Sequence, residues 1–588
     1  MQIWTDALSM FLLATLVAGI VEEKTQSITT RDGGDTDAFT SFVTRPEIKA
    51  PLFDVKNLRP ESVTHGYWFV APYLSLVSQT EDIHRVPCTI GPMIYDNAGE
   101  LIWCGACLVN NTNTFDFRAW KSGDQQYLSA ILDTQSKTGI EHSRAIILNN
   151  SMQISSTYQI PSDIKDAVLN MHEFNPVNDG KSALHIIQRS IEKDVTTVKH
   201  DTGEKMGRIV DDGFAEIDLS TRKVLFEWWA SDHIALSDSS GVVAGLSQKP
   251  PRGWNWIHLN SVDKDASGDY LISARSTNAI YKISGKTGKL VWTLGGKSSS
   301  FDFMPGLNFS RQHDARFVSR ANDVEVISLL DNGGDDHDST ASVSSGLVLA
   351  LNTAIKPMTA AAVKRWNRPS EGISKQRGNF QRLPSGNVFI GWSDMSHLSE
   401  HTAAGELLME AKWKKETANT YRAWKFNFTS DPSEEPVLKV AIERRDNWPT
   451  PKTVFHVSWN GATDVAAWNF RRSATTNAVL GTRRKIGFET RFETVGCEDG
   501  VYAEAVSKNG KILRTTTVQT PLDLDKVCSS KDKKKQLLPE EITFQPQSRY
   551  ASISFEHIYS NYLFRASSIL VSVWLFWTTV RFVRRRWR

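Results

Sequence analysis

Two things are scarce in this chain: cysteine and a charge excess of either sign. Its 588 residues hold five cysteines, and 68 Lys and Arg stand against 66 Asp and Glu. A surface so evenly charged sets up no field that would gather nucleic acid, so none is expected as a partner. Five cysteines cannot staple a chain of this length, and its cohesion must come from apolar cores, of which 588 residues require more than one. Long uncharged runs are missing except near the two ends. Phosphate and calcium motifs are missing as well. Gly295-Gly296-Lys297-Ser298 imitates the tail of a P-loop, but Val291 stands where the leading glycine belongs. Asp331 to Asp338 is rich in oxygen ligands, yet Ser342 occupies the twelfth position, where an EF-hand requires an acid, so the run reads as a solvated acidic turn. No nucleotide, metal or other cofactor is expected.

Aromatics and turn residues are plentiful. Nineteen Trp among many short runs bounded by Gly, Asn and Ser predict an all-β protein, because aromatic side chains suit a pleated, half-buried surface. A phrase recurs in which a turn leads through apolar residues to Trp103, Trp228, Trp292 and Trp413, at gaps of about two, one and two units of about 62 residues. A second phrase, Ser267-Gly268-Asp269-Tyr270 and Ser385-Gly386-Asn387-Val388, feeds alternating strands. Residues 66–430 therefore predict six stacked units, a six-bladed β-propeller, after a polar lead-in segment at 22–65. Residues 436–521, with hairpin signals at Asn460-Gly461 and Asn509-Gly510, predict a small β-sandwich.

Both ends point to a membrane. Residues 1–21 have the shape of a signal peptide. At 562–583 an apolar stretch, flanked by Arg565 and Arg581, is long enough to cross as a transmembrane helix. It follows a charged stalk at 526–561 and precedes a basic tail at 584–588, which predicts a cytoplasmic C-terminus and a propeller on the luminal or extracellular side. Sequons at Asn110, Asn149, Asn308 and Asn427 are expected to carry glycans on that side. Cys497 and Cys528 can close a loop by a disulfide. Cys88, Cys104 and Cys107 form either a structural disulfide or buried thiols, since the Cys104–Cys107 spacing lacks the helix N-terminus that a redox pair needs.

At His172-Glu173-Phe174, Trp256-Ile257-His258-Leu259-Asn260-Ser261, Ser273-Ala274-Arg275 and Arg311-Gln312-His313-Asp314-Ala315 the sequence resembles the arylsulfate sulfotransferase (ASST-like) family, in the style of its fungal, membrane-anchored branch. The resemblance implies a propeller whose central funnel moves a sulfuryl group from an aryl sulfate to a phenol without a nucleotide donor. It further implies that His313 takes the transient sulfuryl group, while His258, Arg275 and His172 steady the sulfate. The chemistry suits these residue types. Charge spreads over equatorial oxygens in such a transfer, so positioned cations matter more than acid–base machinery. A neutral imidazole can attack sulfur and later leave. Arg275 can grip two oxygens, and a protonated second histidine can return a proton to the departing phenoxide. From another class, the same architecture could serve as a binding ectodomain for an anionic or phenolic ligand or a partner protein, without turnover. His397 and His401 either line the funnel or face solvent.

Overall fold

The computed structural model describes residues 38–73, 88–133, 143–200, 203–248, 253–370, 372–393, 396–414, 419–473, 478–521 and 523–528. The expected leader at 1–21, the stalk beyond 528, the membrane helix at 562–583 and the basic tail lie outside the described residues. Among the described residues no helix is long and apolar enough to cross a membrane.

Strands make up nearly all of the regular structure, and among the described residues six mainly antiparallel sheets follow one another along the chain, the third and fifth each with one parallel edge strand. In the second, Asn113–Ser122, Gln125–Asp133, Arg144–Asn149 and Ile154–Tyr158 each pair with the next. The third opens with Val168–Val177, the fourth with Leu259–Lys264, the fifth with His313–Ala321 and the sixth with Asn379–Arg382. The first sheet draws on distant parts of the chain: Trp424–Phe426 pairs with Tyr67–Val70, which leads through Met93–Tyr95 to Leu101–Cys104. The lead-in contributes Phe53–Asn57 as a fifth strand beside Leu407–Trp413 of the sixth sheet.

The recurring tryptophans have a common place. Trp103, Trp228, Trp292 and Trp413 lie in the last strands of the first, third, fourth and sixth sheets, and all are buried. Trp366 holds that position in the fifth. Their indoles reach toward the following sheet. Nε1 of Trp228 donates to Gly288 O at 3.0 Å, that of Trp292 to Glu325 at 3.2 Å, and that of Trp366 to Thr402 O at 2.9 Å. In these three a large ring fills the space between sheets while its polar atom is satisfied, whereas the Trp413 nitrogen is buried without a partner. Gly268 and Gly386 turn the first strand into the second in the fourth and sixth sheets, with φ of 90° and 91°, a conformation that costs a glycine nothing.

The opening strands of the second to sixth sheets and the Trp424–Phe426 strand each pack on the next, and the last of them touches Asn113–Ser122 again. Four of them bulge near their start, between Phe115 and Arg118, Leu169 and Phe174, Leu259 and Ser261, and His313 and Arg316. A bulge frees a backbone N–H from its ladder and re-aims the neighbouring side chains. In bulged and regular strands alike, a backbone N–H at or beside the strand finds the strand before it. Phe174 N–H donates to Asp116 at 3.1 Å, Val262 to Glu173 at 3.4 Å, Ala315 to Ser261 Oγ at 3.0 Å, Phe380 to Asp314 at 3.1 Å and Ala423 to Asn379 at 2.9 Å. Arg422 completes the series by donating to Asp116 at 2.9 Å.

Beyond these, Val437–Glu443, Lys452–Ser458 and Glu489–Val495 form one sheet, and Val479–Arg484, Val465–Arg472, Val501–Ser507 and Ile512–Thr515 another. Phe455, Val457, Trp468, Phe470 and Phe492 from both build one shared core. Disulfides join Cys497 to Cys528 and Cys88 to Cys107. Cys104 stays a buried thiol near Cys88 O, its pKa pushed up to about 12 by burial. An inert thiol of this kind rules out Cys104–Cys107 as a reactive pair in this state. Of the sequons, Asn110, Asn308 and Asn427 are exposed, and Asn149 is half-buried with its side-chain oxygen accepting from Ser151 and Gln153 N–H.

Candidate functional site

The three histidines sit where opening strands begin or bulge. His172 lies in the bulge of its strand, His258 immediately precedes Leu259–Lys264 with a φ of 56°, and His313 is the first residue of its strand. Arg275 follows the strand hairpinned to that of His258, and its N–H donates to His258 O at 3.0 Å. The rings of His172 and His258 meet edge to face, with centroids 4.9 Å apart. His313 feels the charge of Arg275 and the ring of His258, and His172 feels both other imidazoles. All four residues singled out in the sequence therefore belong to one cluster.

Neighbouring groups fix the state of each ring. Nδ1 of His313 faces only acceptors, Asn332 Oδ1 at 2.8 Å and Arg311 O at 3.0 Å. Asn332 cannot turn its amide, because its nitrogen donates to Ser374 O and Arg377 O at 2.7 and 3.1 Å. The proton is therefore held on Nδ1, and Nε2 keeps a lone pair. That lone pair accepts the N–H of Arg377 at 3.1 Å. In His258 the order is reversed: the Asn255 amide donates to Nδ1 at 2.9 Å, so Nε2 carries the hydrogen. Nδ1 of His172 is bonded to Asn170 Oδ1.

Burial is the first cause of the charge state, and nearby cations reinforce it. His258 is lowered to about 3 by desolvation and then by Arg275 and Arg377. His313 falls well below the ordinary range through desolvation and Arg275, against a smaller opposing effect of the Asn332 bond. His172 falls likewise, through desolvation, His258 and His313. Burial and these cations thus favour the neutral form in all three imidazoles. A bound anion acts in the opposite direction, since opposite charge favours the charged form.

Arg275 keeps its Nε buried and without a partner, while Nη2 leans on Asp335 at 3.4 Å and on Lys375 O at 3.3 Å. Asp335 also receives Arg311 Nε at 2.8 Å. The acidic run is a solvated turn only in part: Asp336, His337 and Asp338 are exposed, but Asp331 is fully buried against Arg365 at 2.8 Å, and Asp335 faces two arginines. Among the described residues no His, Cys, Asp or Glu group is arranged to hold a metal ion.

Several residues here escaped the sequence reading. Asn332 sits inside the acidic run, Arg377 is 64 positions from His313, and Tyr421 turns its ring edge to His172 at 5.4 Å with its hydroxyl buried and unpartnered. Beneath them, Arg422 is held by Glu173 at 3.1 Å and Arg316 by Glu173 and Asp314 at 2.7 and 2.6 Å, all buried or nearly so. His397 and His401 do not join the site; they are buried in the sixth sheet, beside Glu410 at 3.0 Å and Ser399 at 3.0 Å. The P-loop mimic is a structural tie, with Lys297 Nζ donating to Ser237 O and Ser239 O.

A chain of sheets carrying a histidine and arginine cluster at their convergent edges is a scaffold that many proteins share, and the sequence narrows it. Residues 138–414 match the arylsulfotransferase (ASST) family. No curated protein matches the chain. Similar solved structures include a protein of unknown function from Bacteroides caccae, 11% identical with a TM-score of 0.34, covering 62% of this chain and 99% of that one. The GH43 BlXynB protein from Bacillus licheniformis is 8% identical with a TM-score of 0.28, covering 72% and 92%. AztD from Citrobacter koseri is 9% identical with a TM-score of 0.21, covering 74% and 100%. Likenesses this low carry no argument about the present chain.

Proposed function

We propose that the six sheets are the blades of a closed β-propeller followed by a β-sandwich, and that the cluster transfers a sulfuryl group from an aryl sulfate to a phenol by way of a sulfohistidine at His313. The observation that carries the reading is the locked tautomer: Asn332 holds the proton on Nδ1, so Nε2 offers a neutral lone pair beside Arg275. In the first step Nε2 bonds to sulfur as the bond from sulfur to the aryl oxygen breaks, and the phenoxide departs with that electron pair. In the second a phenol oxygen attacks the same sulfur, the bond to Nε2 breaks, and the phenolic proton goes to solvent or to the first phenoxide. Arg275 and the Nε2–H of His258 stabilise the charge on the sulfuryl oxygens, His172 braces His258, and the Arg377 N–H is released from His313 to the incoming oxygens. The buried Tyr421 hydroxyl is placed to donate to a departing phenoxide.

The family match implies small aryl substrates, and the experiment follows from it. With 4-nitrophenyl sulfate as donor and phenol as acceptor, the initial rates should give parallel double-reciprocal lines, the signature of a covalent intermediate; intersecting lines would exclude it.

One observation favours a second reading. Nε2 of His313 and Nη2 of Arg275 are both engaged within the protein, by Arg377 N–H and by Asp335. A site closed in this way suits a non-catalytic ectodomain that binds an anionic or phenolic ligand or a partner protein, and tight binding of an aryl sulfate with no phenol release would favour it. In either case we place the propeller on the luminal or extracellular side of a secretory-pathway membrane, anchored through 562–583. Two disulfides and three exposed sequons support that placement. A mass shift on endoglycosidase treatment is expected; a chain without glycan at Asn110, Asn308 and Asn427 would count against it.

A further inference from the structure

The cations around the histidines are matched with one exception. Arg275 and Arg311 share Asp335, and Lys375 reaches Asp336. Beneath them Arg118, Arg316 and Arg422 are held by Asp116, Glu173 and Asp314. Arg377 is the exception. Among the described residues nothing accepts a hydrogen bond from its guanidinium, and the side chain is half-buried with its nitrogens still open to solvent.

The backbone holds Arg377 in place and sends its side chain away from His313. With a φ of 64°, the residue donates its N–H to His313 Nε2 at 3.1 Å and accepts from the Asn332 amide at 3.1 Å. The guanidinium stands over the Tyr73 ring, 5.3 Å from its centre, and its charge is felt at His172 and His258. Tyr73 pairs with Asn419, two residues before Tyr421, whose ring meets His172. Arg275, by contrast, acts on His258 and is the foremost cation at His313. His258 thus stands between two guanidinium groups, one on the His313 side and one on the Tyr73 side. An aryl sulfate carries a single negative charge, which belongs with Arg275 once its sulfur is at His313. The second cation is then still unanswered, and a half-buried guanidinium is best met by a planar acceptor that takes two of its N–H groups.

We propose that Arg377 selects the substrate by holding a carboxylate carried on the aromatic ring, meta or para to the sulfate. The assignment rests on the reading of the histidine cluster as a sulfuryl site. A neutral substituent there leaves the guanidinium without a strong acceptor, and a cationic one is repelled.

Sulfonates test this without turnover, because their carbon–sulfur bond is not transferred. The full chain is titrated calorimetrically with benzenesulfonate, 3-sulfobenzoate, 4-sulfobenzoate and 4-(aminomethyl)benzenesulfonate. At least one sulfobenzoate should bind about tenfold tighter than benzenesulfonate, and the amine more weakly than either. Arg377→Gln keeps an unbranched side chain on the same backbone and removes the charge. In this variant the ratio of sulfobenzoate to benzenesulfonate affinity should fall to about one, with the melting temperature unchanged, since no ion pair is lost. Saturable binding of benzenesulfonate with no gain from either carboxylate overturns the assignment and leaves the sulfuryl site standing. A ratio in Arg377→Gln equal to that of wild type shows that another group holds the carboxylate, and overturns it as well. No binding of any sulfonate at about 10 mM overturns both this assignment and the site on which it rests.

Discussion

A single side chain, Asn332, decides what His313 can do. Its amide is pinned by two carbonyls, so it can only accept from the imidazole, and in the proposed transfer the attacking nitrogen is set by a residue that never needs to touch substrate. Two consequences are measurable. Because burial and Arg275 keep His313 neutral far below pH 6.5, kcat/KM should stay flat between about pH 5 and 8; an inflection near the ordinary histidine value would show that the nucleophile is not shielded as described. Asp335 competes with an anion for Arg275. Asp335→Asn should lower KM for an aryl sulfate roughly three- to tenfold with kcat little changed, and an unaltered KM would remove Asp335 from the account. His172, His258, His313 and Arg275 could be singled out from the sequence because histidines are few, 14 in the chain, and the four residues fell in motifs. Asn332, Arg377 and Tyr421 were not: asparagine in a run of Asp and Gly looks like any turn, and only the folded chain brings Arg377 N–H to a ring 64 residues away.

Two devices recur from one sheet to the next. A backbone N–H at each of these strands, bulged or not, meets an acceptor from the preceding strand, charged at Asp116, Glu173 and Asp314 and neutral at Ser261 and Asn379. Removing a charged staple also takes a carboxylate from its arginines. Asp116→Ala, which takes one of two carboxylates from Arg118 and leaves Arg422 to Glu173 and Asp314, should cost about 3–5 kcal/mol, and Ser261→Ala about 1–3 kcal/mol, read from denaturant midpoints. Equal losses would mean that the staples are not graded by charge. The second device, the tryptophan at the end of a sheet, is what made the repeat visible. Trp366 escaped because its strand, Met358–Asn367, reads as a run of small and basic residues without the turn-and-apolar lead of its counterparts. Tyr158 fills the last strand of the second sheet, which no search for tryptophan could find.

For the molecule as a whole, buried imidazoles set the response to acid. His185 packs against Phe174 with both ring nitrogens unpartnered, and burial alone lowers it to about 3. A folded pKa below the unfolded value of about 6.5 means that the unfolded chain binds the proton first, so this stability is present above pH 6.5 and is lost as pH falls toward 3. The loss is about 1.4 kcal/mol per pH unit for each such group. Asp263 and Asp331 are shifted the other way by burial, so the comparison of wild type with His185→Leu isolates the imidazole: the variant should lose less stability between pH 7 and 5. A parallel loss in both would show that His185 titrates normally.

The account rests on one bond, between Nε2 of His313 and sulfur. Intact mass of the full chain after brief exposure to 4-nitrophenyl sulfate, without acceptor, measures it directly. An added sulfuryl mass that appears in wild type, disappears on addition of phenol and never forms in His313→Ala is the predicted result. Phenol release with no adduct on the protein, or an adduct that persists in His313→Ala, would contradict it.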